Sequence, residues 1–297
     1  MLKLRHLLLL ALLASPWANA MKAVFWQPQL RDSGVSAEQW STLMQKLHRQ
    51  GFDTLVLQWT QYGTAFADEN GSQQLRQRAA AAQSAGLKVI VGLNADPEFF
   101  SRQKQSAAAL KHYLGRLRVA DLQQAKRWSD SPDFRPDGWY LSAEIDDLNW
   151  RSPERRVELL AWLSDTRQLL AKHDNKPVYI SSFFAGNMTP EGYAAMIAEI
   201  EKLRIGVWVQ DGLGVKTLNP TQRQLYLDAA AGCHATSPAR GTVYEVFDVT
   251  PGKTFSAQPM AAKQMAAQLA QTSRCGKDVV WFSLRYLPAA QGILQYR

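Results

Sequence analysis

Gly51-Phe52-Asp53-Thr54-Leu55-Val56-Leu57-Gln58-Trp59 is the stretch whose reading decides the fold. Gly51 ends an amphipathic helix, because glycine accepts the left-handed backbone found at helix C-termini. Thr54–Leu57 then reads as a strand apolar on both faces, as in a parallel sheet covered by helices. Gln58 and Trp59 place an amide and an indole at its C-terminal end. The helix before it starts at a capping box, Ser36-Ala37-Glu38-Gln39, in which serine and glutamine each satisfy an unpaired backbone N–H. Trp40, Leu43, Met44 and Leu47 follow at i, i+3, i+4, i+7 and form one apolar face.

The same unit recurs outward in both directions. Eight β-branched and aromatic runs alternate with helical stretches: Ala23–Trp26, Thr54–Trp59, Lys88–Leu93, Trp139–Glu144, Val178–Phe183, Gly206–Gln210, Thr242–Phe247 and Asp278–Ser283. Alternating strand and helix implies a parallel sheet, since parallel neighbours need a crossover. Eight units predict an α/β fold, a single (β/α)8 TIM barrel spanning 21–297. Pro153, Pro190 and Pro220 suit first helical positions, and Gly86, Gly232 and Gly276 stand where helices stop. The longest helical stretch is expected over Ser101–Trp128. No linker or composition break divides the chain.

The first twenty residues read as a signal peptide. Lys3 and Arg5 precede an apolar core, Leu7–Leu13, and Ala18-Asn19-Ala20 resembles a cleavage site. Cleavage near Ala20 predicts a periplasmic or secreted protein, with no later segment apolar and long enough to span a membrane. Losing Lys3 and Arg5 lowers the formal net charge from +8 to +6. The densest basic group, Arg102 to Arg127, reads as a solvated helix face or as an attraction for an acidic polymer. No nucleic-acid motif is present. Cys233 and Cys275 follow the sixth and seventh helical stretches on one face of the barrel, and an exported chain would pair them; two buried thiols are the alternative.

In such barrels chemistry sits at the C-terminal ends of the strands. There the sequence gathers Trp26, Gln27, Gln58, Trp59, Asn94, Trp208, Gln210, Asp211 and Trp281. Amides, a carboxylate and flat rings suit the hydroxyl edges and weakly polar faces of sugars. Glu144 closes the fourth run and Glu245 lies late in the seventh, nearly opposite in an eight-stranded ring. Glycoside hydrolysis needs two carboxyl groups flanking the scissile bond, and their separation sets the stereochemical outcome. Glu144 is expected as general acid/base, its pKa raised among Tyr140 and Phe183. Glu245 is expected as nucleophile, with Asp146, Asp147 and Asp211 in reserve. Either glutamate is instead structural if it pairs with an arginine such as Arg285. His48, His112, His173 and His234 fall within or just after helices, so neither a histidine-ligated metal site nor a Ser-His-Asp site is expected. No cofactor is implied.

Phe25-Trp26-Gln27-Pro28, Gly51–Trp59, Trp139-Tyr140-Leu141-Ser142-Ala143-Glu144 and Val207-Trp208-Val209-Gln210-Asp211-Gly212 together resemble an exported bacterial family of unknown function grouped with the TIM-barrel glycosidases. The resemblance covers essentially all of residues 21–297. It implies an acid/base after strand four and a nucleophile after strand seven, which fall on Glu144 and Glu245. Ala143 stands where the large retaining-glycosidase clan usually has asparagine. Glu144 precedes Asp146, unlike the chitinase arrangement of acids. The sequence thus points to a glycoside hydrolase acting on an envelope or exported polysaccharide. A non-catalytic polysaccharide-binding protein of an envelope or exopolysaccharide system is the alternative.

Overall fold

The structure, a computed structural model, describes residues 20–252 and 256–296. The expected signal segment lies, apart from Ala20, outside the described residues. Eight parallel strands close into one barrel in sequential order. They are β1 (Lys22–Trp26), β2 (Thr54–Leu57), β3 (Lys88–Gly92), β4 (Gly138–Asp146), β5 (Val178–Phe183), β6 (Ile205–Gln210), β7 (Gly241–Glu245) and β8 (Asp278–Phe282). Pairing of β1 with β8, Lys22 opposite Val279, shuts the ring. Among the described residues, seven helices of eight residues or more cover the outside: α1 (Ala37–Arg49), α2 (Glu69–Ser84), α3 (Ala107–Ser129), α4 (Pro153–His173), α5 (Pro190–Glu201), α6 (Pro220–Ala231) and α7 (Ala262–Leu269). Among the described residues after β8, the chain makes two short 3-10 turns, Leu284–Tyr286 and Pro288–Ala290.

Local signals act where the sequence places them. Ser36 accepts from the Gln39 backbone N–H, and the Gln39 side chain returns the bond. Prolines 153, 190 and 220 each open a helix. The expected helix over Ser101–Trp128 is broken. A turn at Phe99–Arg102 comes first, and Ser106 caps α3 by accepting from the Ala109 N–H. No helix among the described residues is long and apolar enough to cross a membrane. Cys233 and Cys275 form a disulfide with Cα atoms 5.7 Å apart, closing a loop of sequence separation 42.

Two cores result. The larger lies between strands and helices. The smaller fills the barrel with Phe25, Val56, Ile90, Tyr140, Tyr179, Trp208 and their neighbours. Its centre is an aromatic stack: Trp208 lies 4.5 Å from Tyr179 at 13° and 6.0 Å from Tyr140 at 15°. The Trp208 indole N–H donates to Asp278 Oδ2 at 3.0 Å, and Asp278 pairs with Arg240 at 3.1 Å. Gly206 makes room for this packing, because a Cβ there would sit 2.9 Å from the Tyr179 ring.

Two outcomes are expected. Trp208→Ala, which empties the centre of the barrel, lowers stability by about 3–5 kcal/mol in urea denaturation. Thiol titration of the unreduced, denatured protein finds no free thiol, and reduction costs about 2–4 kcal/mol.

Candidate active site

Side chains alternate between the two faces of a strand. Phe25, Tyr140, Tyr179, Trp208 and Val243 point into the barrel, so Gln27, Glu144, Ser181, Gln210 and Glu245 form the next layer toward the C-terminal rim. These five line a cavity of ≈ 580 Å3 at that end, within the ~300–1,000 Å3 of ordinary ligand sites. Tyr140 and Phe25 make its floor, and Trp59, Tyr62, Phe100, Phe183 and Phe282 are among the rings on its walls.

A bulge aims Glu144. On β4, Leu141 pairs with Ile180 but Glu144 pairs with Ser181, so two extra residues sit on β4. An extra pair keeps the facing of every side chain while moving Glu144 level with Ser181. Half-buried Glu144 lines the cavity. Burial pushes its carboxyl up to about 7, against the pull of a hydrogen bond from the Gln210 side chain. Tyr140 beneath it shares a 2.7 Å bond with Ser181.

Glu245 ends β7 and is 3% exposed. Its Oε2 accepts from the backbone N–H of Gly214 at 2.6 Å and of Val215 at 3.1 Å. Gly214 is required at this approach: a Cβ would lie 3.0 Å from Oε2 and 2.5 Å from the Phe247 carbonyl oxygen. Burial raises the Glu245 pKa, with the Asp211 and Glu144 charges adding to it. The two backbone donors oppose that rise.

Several expected site residues lie elsewhere. Trp26 and Trp281 are outward neighbours of inward Phe25 and Phe282. Trp26 packs on Trp40 at 4.4 Å, and the Trp281 indole N–H donates to the Gln268 carbonyl on the helical side. Trp208 faces inward but lies one layer below the cavity, in the stack. None of these three lines it. Asn94 is also absent from the cavity lining and opens onto a neighbouring groove with Arg102 and Tyr113. Asp211, 2% exposed, stands behind Glu245, accepting from its N–H at 3.1 Å and from Gln268 Nε2 at 2.8 Å. Gln27, Gln58, Trp59 and Gln210 do line the cavity.

The reserve acids Asp146 and Asp147 tie loops. Asp146 accepts from Leu148 N–H and Gln103 Nε2; Asp147 accepts from Ala185 and Asn187 N–H. Arg285 pairs with Asp32 at 2.8 Å, not with either glutamate. Phe99, Phe100, Asp96 and Tyr286 enter the cavity from loops and turns that strand patterning does not reach. The adjacent Phe99-Phe100 in an otherwise polar stretch was their one visible signal. Among the described residues no cluster of three or more His, Cys, Asp or Glu is placed to hold a metal ion.

A family model described as Domain of unknown function (DUF4434) matches residues 21–291. The chain is 57% identical over 296 residues to the Uncharacterized protein YbcH of Escherichia coli (strain K12), covering 100% of both chains. Among solved structures it is similar to a Bacteroides thetaiotaomicron protein named as a candidate alpha-L-fucosidase. That match has TM-score 0.63 and 15% identity, with 99% of this chain and 94% of the other covered. A GH5_18 protein from Streptomyces cattleya, in complex with GlcNAc, matches with TM-score 0.51 and 14% identity over 89% of this chain and 71% of that one. At such identities the likeness shows the TIM-barrel fold these proteins share.

The raised pKa of Glu144 has a definite sign in stability. Between the ordinary carboxylate value and about 7 the folded protein keeps a proton that the unfolded chain has released. Stability from this group therefore falls as pH rises through that window. Glu144→Gln carries no such penalty. Its melting temperature, measured against wild type, should climb from about pH 5 to about pH 7 and level off above that. A difference that is flat with pH would show Glu144 to titrate normally.

Proposed function

The chain belongs to the DUF4434 family, and from that premise and the chemistry of its mouth we propose that it is a glycoside hydrolase. One observation carries the reading. Two carboxyl groups from strands across the ring, Glu144 and Glu245, enter one aromatic-walled cavity, and both are held above the ordinary carboxylate range by burial. One carboxyl able to give a proton and a second able to act as carboxylate across one cavity are what acid-assisted cleavage of a glycosidic bond requires.

The roles follow from the surroundings. Glu144 sits over Tyr140 and beside Phe183 with one neutral amide donor from Gln210. That setting favours the protonated form, so Glu144 gives its proton to the leaving oxygen. Burial pushes Glu245 up to about 8, above Glu144, so its role as nucleophile or base rests on geometry. Two backbone N–H groups on Oε2 stabilise the ionised form and leave Oε1 for the sugar carbon or for a water. Trp59 and Tyr62, ring centroids 4.8 Å apart, offer a platform at one wall. Gln27, Gln58 and Gln210 offer hydrogen bonds to hydroxyls. The leader-like residues 1–20 and the disulfide support export, to the periplasm or beyond.

The test is a panel of polysaccharides incubated with residues 21–297 and scored for new reducing ends. On any cleaved member, Glu144→Gln should cut turnover ~10²–10⁴-fold while leaving sugar binding nearly intact. Glu245→Gln should lose activity comparably. Wild-type turnover in both variants would refute the two-glutamate mechanism. A glycan bound but never cleaved would make the mouth a binding site.

A further inference from the structure

The glycan-site reading of the mouth underlies this inference, which names the class of glycan. The chain is basic overall, and the cationic run from Arg102 through α3 invites an acidic polymer. The cavity has the opposite character. Its charged lining is Asp96, Glu144 and Glu245, and among the described residues no lysine, arginine or histidine lines it. Basic side chains around it are already engaged with acids. Lys216 pairs with Asp248 at 2.6 Å, Arg102 with Glu98 at 2.7 Å, and Arg223 with Asp211 at 3.4 Å. Buried Arg285 pairs with Asp32. A uronate, sulfate or sialate drawn in would lose its water and face carboxylates with no counter-charge.

The polar groups the cavity does offer are neutral. Gln58 is the most informative. It lines the cavity at 8% exposure, and its Oε1 is buried with no hydrogen-bond partner among the described residues. The neighbouring Trp59 indole N–H is buried and unpartnered in the same way. A buried polar group left unpaired is costly, and such groups in a native fold call for an occupant. A sugar hydroxyl donates and accepts, so an unpaired acceptor and an unpaired donor on residues of one cavity lining can both be met by an uncharged ring. The rings of Trp59, Tyr62 and Phe100 line the same cavity and suit the apolar face of such a ring.

We propose that this cavity selects uncharged glycans, with Gln58 and Trp59 as the residues that read their hydroxyls. The basic outer face then plays no part in choosing the substrate.

A glycan array carrying uncharged oligosaccharides beside uronate, sialylated and sulfated ones tests this with residues 21–297. The retained glycans should be uncharged. Oxidising the C6 alcohol of a retained glycan to a carboxylate should weaken it at least about tenfold. Gln58→Leu should weaken it about three- to tenfold with little change in melting temperature, since Oε1 bonds nothing in the protein. Preferential retention of acidic glycans overturns the proposal, as does retention of none. So does unchanged affinity in a folded Gln58→Leu protein. Cleavage is scored separately by new reducing ends. An uncharged glycan bound but uncut removes the hydrolase reading and leaves this one standing; a cleaved acidic glycan does the reverse.

Discussion

The packing of Trp208 between Tyr179 and Tyr140 is the constraint on which the mouth depends. A closed eight-stranded ring has an interior wide enough to need filling. Here the middle is filled by one large ring system, keyed below by Asp278 and Arg240 and flanked by a glycine that lets Tyr179 approach. The upper ring of that stack, Tyr140, is also the floor beneath Glu144. The position and dryness of the carboxyl are thus set by the core of the barrel. A well-packed floor also excludes water from below, which is why burial leads the causes that raise Glu144.

Glu245 is held differently. Its carboxylate is fixed by the loop after β6, whose Gly214 and Val215 N–H groups converge on one oxygen. Asp211 stands behind the same strand end, braced by Gln268 and Arg223. Three elements, β6, β7 and α7, therefore meet at one acid. The carboxylates of Asp146 and Asp147 do the complementary task, satisfying backbone N–H groups of rim loops that would otherwise be buried unpaired. Of the acids clustered at this end, Asp96, Glu144 and Glu245 line the cavity, the Glu144 charge adding to the rise at Glu245, while Asp146, Asp147 and Asp211 bind backbone, amide or arginine.

The (β/α)8 architecture was legible in the sequence because it depends on local patterns. Apolar runs, helix caps at Ser36, Thr189 and Asn219, and prolines at first helical turns each act within a few residues. Glu144 and Glu245 were legible for a related reason: Glu144 lies near the end of strand four and Glu245 closes strand seven, and the ring order fixes which strands oppose one another. The tryptophans were less legible. Trp26 and Trp281 stand at strand ends beside Gln27 and Phe282, but a single step along a strand reverses the side chain's facing. Trp208 has the right facing and the wrong height, and height depends on how the strands stagger when the barrel closes.

The sequence by itself determined the fold and which strand ends would meet at one rim, with Glu144 and Glu245 among them, since periodicity and punctuation are properties of neighbouring residues. Only the tertiary structure decided what surrounds those acids. The two-residue bulge that sets Glu144 level with Ser181 exists only in the pairing of β4 with β5. Phe99, Phe100 and Tyr286 reach the cavity from segments with no strand pattern. The lack of basic groups in the described lining of the mouth, in a chain that is basic as a whole, goes with Lys216, Arg102 and Arg285 pairing with acids brought near by folding. Charge counted along a chain gives its sum; charge at a site depends on which pairs the closed barrel brings within reach.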